Sequence, residues 1–400
     1  MHPQRCILAS ERGIVLVVTL LIMALLMVGG LGAIFSTQTD LKSSANLKTG
    51  KQAFYIADAG LSRAWQQLDN GDGVNDFAML INSSGPVALV NNELFAGGSH
   101  TVIAELLPGP GPRRLRVISS GCQPAANPCP PGSSKSVLEA HLRRESLFPG
   151  AISSTDNVTL SGGASTDSYD SRLGPYASQA ASGGGHVRST GSIILSGSTT
   201  MLRGDALAGS QVLISNGAAV SGVVRQGVSP LDVSPVGACG PPYHDGSGVV
   251  GGSYNSLTGD LRGSGTDAII LQDGSYCFSG VDLSGTSSLT INGPVRIHLT
   301  SHSNLTGGGL INTTEKPENL MIFSSVASAT LGVSIAGRSA AYVTVYAPRA
   351  KITAVGPGDL FGALVGENVT NLGAVRFHYD QKLMDNEDGN VTFVLWKEVF

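Results

Sequence analysis

Two short runs carry the residue types from which hydrolytic chemistry is built. Tyr243-His244-Asp245 and His378-Tyr379-Asp380 each place an imidazole one or two residues from a carboxylate. General acid–base work uses such pairs, and glycan cleavage needs two carboxylates across the scissile bond. The surrounding sequence argues against both. Acids are sparse between residues 151 and 383, with no Asp-Asp pair, and the charges are dispersed. There is no G-x-S-x-G elbow, no H-E-x-x-H and no glycine loop with a phosphate-binding lysine. The run Asp385-Asn386-Glu387-Asp388-Gly389-Asn390 is acidic but lacks the alternate-position oxygens of a calcium loop. The two His-Asp runs therefore read as surface or turn clusters, and the chain as a non-enzyme with no metal and no cofactor.

The cysteines are more informative. Cys6 precedes a long apolar segment; Cys122, Cys129, Cys239 and Cys277 lie in Pro/Gly-rich, loop-like sequence. An even number of cysteines in an exported chain suggests disulfides, and four permit three connectivities. Local pairing, Cys122 with Cys129 and Cys239 with Cys277, is the expectation. Neither pair has CxxC spacing and no His/Cys cluster accompanies them, so zinc is the weaker reading.

The elements that position these residues follow from composition. The chain has 400 residues, of which 42% are hydrophobic, 14% are charged and 53 are glycine, at a formal net charge of -4. So few charges exclude a nucleic-acid partner, which requires clustered Lys and Arg. Glycine without a G-X-Y period, among many Val, Ile, Thr and Ser, points to short strands and tight turns. Val158-Thr159-Leu160-Ser161-Gly162 recurs as Ile193-Ile194-Leu195-Ser196-Gly197. Similar runs begin at Val212, Leu289 and Val333, often near 20 residues or its multiples apart. One rung of a parallel β-helix needs about that much chain. A β-sandwich also uses short strands, but Asn-Gly hairpin signals between alternating runs are missing. The preferred fold class is α+β: a long N-terminal helix with a small antiparallel sheet, followed by a Gly/Ser-rich parallel β-helix, or solenoid.

Residues 14–35 contain no charged side chain, enough apolar helix to cross a bilayer at about 1.5 Å per residue. This exceeds the apolar core of a secretory signal. It follows Glu11-Arg12-Gly13, and the helical pattern continues to Leu68. Phe54, Ala57, Leu61, Trp65 and Leu68 recur at three- and four-residue steps as one stripe. Asn70-Gly71-Asp72-Gly73 supplies the stop. Beyond it, residues 99–106, 114–119 and 136–142 approximate strand alternation, separated by PGPGPR and the cysteine-bearing proline loop. They read as a meander covering the helix's second half.

This N-terminal stretch resembles that of PilX-type minor pilins, most closely in Ala-Phe-Tyr-Ile-Ala-Asp-Ala-Gly-Leu, residues 53–61. The family signature has glutamate where Asp58 stands here, followed by Gly60 and Leu61. The resemblance implies a leader, residues 1–13, cut after Gly13 by prepilin peptidase to expose Ile14. Residues 14–35 would then be the transmembrane half of the helix, 36–69 the amphipathic half and 70–148 a pilin-like head. It also implies a single-pass inner-membrane protein with its C-terminal part periplasmic, or extracellular in a pilus, whose partners are other pilin subunits. Major pilins carry a glutamate at the fifth mature position; here that position is Val18. Its absence removes a docking contact to a neighbour's amino terminus and implies a minor subunit, with filament-tip placement as one option.

The remainder, 149–384 as the β-helix and 385–400 as a strand or tail, also carries a resemblance. Residues 168–176 (SYDSRLGPY), Tyr346-Ala347-Pro348 and Phe377-His378-Tyr379-Asp380 are similar to marks of an uncharacterised β-solenoid domain found behind pilin-like N-termini. That resemblance supports architecture and supplies no activity. The expected function is a minor-pilin-like structural subunit displaying a solenoid for assembly or adhesion, with a tip adhesin or extracellular glycan as possible ligands. Two alternatives stay open: a membrane-tethered glycan-binding or glycan-cleaving protein, and an inner-membrane anchor that never joins a filament.

Overall fold

The computed structural model describes residues 12–69, 77–80, 83, 85–107, 114–237, 239–336, 340–385, 388–389 and 391–399, with side chains from Leu16. Residues 1–11 of the expected leader, the Asn70–Gly73 stop, the PGPGPR link and Asn386-Glu387 lie outside the described residues. Contacts divide the chain into two compact units. The first holds the N-terminal residues, Arg113–Leu142 and Phe393–Phe400; the second is built on Arg143–Thr392.

In the first unit one helix, α1, runs from Arg12 to Asp69, 58 residues without a break and about 87 Å at the standard rise. Nothing in that run is proline, and the strong helix formers Leu and Ala are its commonest residues. Four strands follow in meander order: β1 (Val87–Phe95), β2 (Gly98–Leu107), β3 (Arg114–Gln123) and β4 (Ser134–Arg144). The C-terminal strand Val391–Val399 lies beside β4, giving a five-stranded antiparallel sheet. A strand or tail is expected here from the sequence; its pairing with a strand some 250 residues earlier leaves no local trace.

Strand β1 was also not legible, because its alternation is broken. Its pairing with β2 shifts register twice, and Asn92 sits at φ 54°. It turns into β2 through Ala96 and Gly97, both left-handed at φ 50° and 79°, the geometry that matches strand twist in a two-residue hairpin. On β2, β3 and β4, alternate residues such as Val102, Ala104, Leu115, Val117, Leu138, Ala140 and Leu142 are buried against the second half of α1. The opposite face carries a cross-strand charge ladder. Glu105 and Arg116 pair at 2.9 Å, Arg116 and Glu139 at 2.8 Å, and Glu139 and Lys397 at 3.2 Å.

The second unit is a parallel β-solenoid of about nine turns, and its order in space is not its order in sequence. From Ile152 the chain winds outward. Strands Ile152–Ser154, Val158–Ser161 and Ser165–Tyr169 pair in parallel with Val187–Ser189, Ile193–Ser196 and Met201–Leu202. Those in turn pair with Ala206–Ala208, Val212–Ser215 and Ala219–Val220. After Val224–Gln226 winding stops. Residues 227–237 and 239–248 travel back as a strap, and winding resumes at Asp260–Gly263. Successive turns then lead to Asp359–Leu372 and Arg376–Asp380, which pair with the first turn made: Leu364 with Ile152, Val369 with Val158, His378 with Asp167. The later stack is thus seated on the earlier one, a permuted solenoid.

The strap is held along one face. Arg188 donates to the Ser229 carbonyl at 3.0 Å, Leu231 N–H to Thr190 Oγ1 at 3.0 Å, and Tyr346 O–H to the Ser234 carbonyl at 2.7 Å. The Cys239–Cys277 disulfide fixes its far end, and His244 N–H donates to the Cys277 carbonyl. Inside, aligned aliphatics form ladders, for example Val333, Ile352, Val369, Val158 and Ile193, all with 1% exposure or less.

Candidate functional site

The second half of α1 meets the sheet through a stripe of small and aliphatic residues. Ala53, Ile56, Ala57, Gly60, Leu61, Ala64 and Leu68 are buried, whereas Phe54 is half-buried and Trp65 is 36% exposed. The expected stripe is therefore displaced: Ala57, Leu61 and Leu68 lie in it, and Phe54 and Trp65 flank it. The reason is distance. A Cβ on Gly60 would overlap Ser119 Oγ and stand 3.0 Å from His100 Cδ2. A Cβ on Gly121 of β3 would overlap the Ala53 carbonyl and lie 2.6 Å from the Ala57 nitrogen. Backbones this close exclude large side chains at Ala53, Ala57 and Gly60, and the aromatic rings lie at the border of the contact, where Phe54 meets Trp396 edge-on at 5.9 Å. Asp58 lies on the half-buried flank of this contact. The ring of His100 is 3% exposed with neither nitrogen hydrogen-bonded, and burial pushes its pKa down against the pull of Glu93.

The first half of α1 has the opposite character. Leu16, Val18, Leu21, Leu25, Met27 and Phe35 are among the exposed apolar side chains of a span whose mean hydropathy is 2.6. No sheet residue covers them, and Val18 offers no carboxylate. Gly13 and Ile14 lie within the helix, and the side chain of Ile14 is outside the described residues.

The two His-Asp runs separate completely. Tyr243-His244-Asp245 sits in the loop that ends the strap, with Asp245 80% exposed and accepting from Ser247 N–H. His244 packs beside Tyr276 at 4.6 Å between ring centroids. His378-Tyr379-Asp380, expected as a surface or turn cluster, is instead a strand segment buried to 4%, 1% and 0% exposure. It is the seam between the two stacks, where pairing with Asp167-Ser168-Tyr169 shuts it in. His378 Nδ1 lies 2.6 Å from Asp167 and Nε2 lies 2.9 Å from Asp359. Tyr176 O–H donates to the other oxygen of Asp167 at 2.8 Å, and Arg376 grips Asp359 with two nitrogens. Phe361 stacks on the imidazole at 4.6 Å, and Tyr176 tilts over it at 4.2 Å.

The electrostatics fit a sealed lock. Burial works to raise the Asp359 carboxyl, but the hydrogen bonds from Arg376 and His378 outweigh it and hold the pKa below the usual range. Burial, then the bond to Asp167, pushes the Tyr176 hydroxyl up to about 12. Asp380 is raised by burial although it accepts from Ser171 and Lys382 N–H groups. Tyr379 O–H donates to the Phe148 carbonyl at 2.6 Å. That Asp167, Tyr176, Asp359, Phe361 and Arg376 gather around His378 is not legible in the sequence, where Tyr176 stands out only as part of the 168–176 run; rung register brings them together, and that register crosses the permutation.

Both disulfides have the expected local pairing. Cys122–Cys129 closes the loop between β3 and β4, and Cys239–Cys277 closes 38 residues around the strap. Among the described residues no group of three His, Cys, Asp or Glu could hold a metal ion.

A family model described as the PilX N-terminal region matches residues 12–62. Another, described as a domain of unknown function (DUF7305), matches residues 252–386. Three chains of solved structure match. One is the crystal structure of the competence-associated pilin ComZ from Thermus thermophilus, 13% identical with a TM-score of 0.29, covering 88% of this chain and 97% of that one. No curated protein matches. The chain thus has a PilX-like N-terminal region followed by a separate C-terminal domain.

Proposed function

We propose that the PilX-like residues 12–62 make this chain a minor pilin-type subunit, which anchors and assembles through α1 and carries the solenoid outside the membrane. The observation that carries this reading is the division of one helix into a bare apolar half and a seated half. Leu16 to Phe35 stand exposed while Ala53 to Leu68 bury the head. An apolar surface of that length is unfavourable in water. It requires lipid before assembly and neighbouring helices afterwards.

In this reading prepilin peptidase cuts after Gly13, Ile14 becomes the amino terminus, and residues 14–35 hold the protein in the inner membrane. Val18 brings no carboxylate, so incorporation relies on apolar helix packing rather than on an ion pair with a neighbour. Two disulfides fit a periplasmic or extracellular location for both units. The solenoid then serves assembly or adhesion. The test is a photo-crosslinking residue at Leu25 in cells that make filaments. Adducts with pilin subunits in the sheared-filament fraction are expected; recovery of the protein solely as an uncrosslinked membrane species contradicts the proposal.

A further inference from the structure

One solenoid face is lined by a row of hydrogen-bonding side chains, engaged with one another or their neighbours at its Arg262 end (Asn304 donates to Asp282 at 3.4 Å and accepts from Thr306 at 2.7 Å) and unused by the fold over its hydroxyl-bearing remainder. Reading across the rungs, Arg262 stands beside Asp282, Asp282 beside Asn304, and Asn304 beside Ser334. The row continues from Ser334 to Thr353, to Thr370 and to Thr159. These seven positions alternate with the buried aliphatics of the same strands, so all point outward, and all are half-buried or exposed. Among the described residues the hydroxyls of Ser334, Thr353, Thr370 and Thr159 make no hydrogen bond to another protein atom.

The other faces are treated differently. The strap lies along the column of Cys277, Tyr346 and Arg188, and the segment bearing Tyr176 covers Phe361 and His378. The polar row has no such cover. At its Arg262 end it opens into a cavity of about 440 Å³ bounded by Asp260, Arg262, Asp282, His302 and Asn304, a size suited to one small ligand group.

We infer that this row and cavity form a binding site for an extended neutral polysaccharide. Three properties select that class. Charges along the row and its flank balance, Arg262 and Lys351 against Asp260 and Asp282, so neither a polyanion nor a polycation is attracted. The row lies on a sheet face and not at an edge, so a peptide strand finds no backbone partners there, and it lacks the aromatic anchors of a protein interface. Free hydroxyls recur at the interstrand spacing of roughly 4.8 Å, each on a side chain that can donate and accept. An extended glycan presents its own hydroxyls at a comparable repeat. The three threonines are β-branched and stiff at χ1, so little side-chain freedom is lost on binding. The cavity takes the terminal sugar, held between Asp282, His302 and Asn304.

This goes beyond the filament reading and fails separately from it, because binding needs neither cleavage at Gly13 nor assembly. The test uses the intact detergent-solubilised protein and two insoluble probes, chitin and cellulose, compared with the variant carrying Thr159→Val, Thr353→Val and Thr370→Val. Valine keeps shape and strand preference while deleting the hydroxyl. Wild-type retention on at least one probe, unaffected by added salt, with at least about tenfold weaker retention of the triple variant, is expected. The corresponding triple serine variant, which keeps the hydroxyls, should retain most binding. Absence of wild-type retention on both probes, or equal retention of the valine variant, overturns the inference. Circular dichroism confirms that each variant is folded.

Discussion

His378 and Asp167 lie 211 residues apart in sequence and 2.6 Å apart in space, joining the last-made rung of the solenoid to the first. Each nitrogen of His378 faces a carboxylate, Asp167 on one side and Asp359 on the other. Replacing it by alanine leaves Asp167 and Asp359 facing a void. Breaking such a buried arrangement costs about 3 kcal/mol, and the loss should appear first at the seam. We expect His378→Ala to lower the unfolding midpoint and speed hydrogen exchange in 165–169 and 376–380. Asp245→Ala, in the other His-Asp run, should leave both unchanged, because that carboxylate is 80% exposed. Equal effects of the two variants contradict the assignment.

The close approach of α1 to β3 sets a second expectation. Gly60→Ala pushes a methyl into Ser119 Oγ, a side chain that can turn aside. Gly121→Ala pushes one into helix backbone, which cannot. Overpacking of this kind costs about 1–3 kcal/mol, and Gly121→Ala should be the more damaging of the two by thermal unfolding of the head.

The disulfides should differ in what they protect. In a chain-entropy account a 38-residue closure is worth about 4 kcal/mol and a seven-residue closure about 2.4 kcal/mol. Changing Cys239 and Cys277 to serine should free the strap, seen as new proteolytic cuts between residues 229 and 246. Changing Cys122 and Cys129 should leave that segment resistant.

Acid should loosen the sheet of the head through Glu139. The hydrogen bond from Arg116, followed by those from Lys397 and His141, holds its carboxyl down at about 2 against an ordinary 4.5, with burial opposing. The folded pKa is depressed, so the stabilisation is fully present above about 4.5 and is lost as pH falls towards 2. Glu139→Gln should be less stable than wild type at neutral pH, and the two should converge below pH 3. A constant difference across that range is the contrary result.

Much of this architecture is legible in the sequence because it is written locally. The helix is read from an apolar run without proline, the rungs from Val158 and Ile193 recurring with their glycines, and the cysteine pairs from proximity. What escaped depends on long-range register. Strand β1 hides its period behind two register shifts and Asn92. The C-terminal strand declares itself as a strand but not as a neighbour of β4. Phe54 and Trp65 satisfy the helical period, yet lie beside the contact, whose closest approach to β3 runs through Ala53, Ala57 and Gly60. Most of all, the seam could not be read, since a solenoid is ordinarily stacked in chain order and here the strap reverses it. His378 therefore looked like a turn residue until Asp167 and Asp359 stood on either side of it.

The account rests on α1 being a processed pilin-type helix, and its most direct test is the mature amino terminus. Mass spectrometry of the protein from cells with and without prepilin peptidase should find Ile14 as the first residue in the former and uncut Gly13-Ile14 in the latter. An uncut junction in both strains, or cleavage near Ala33 independent of the peptidase, contradicts it.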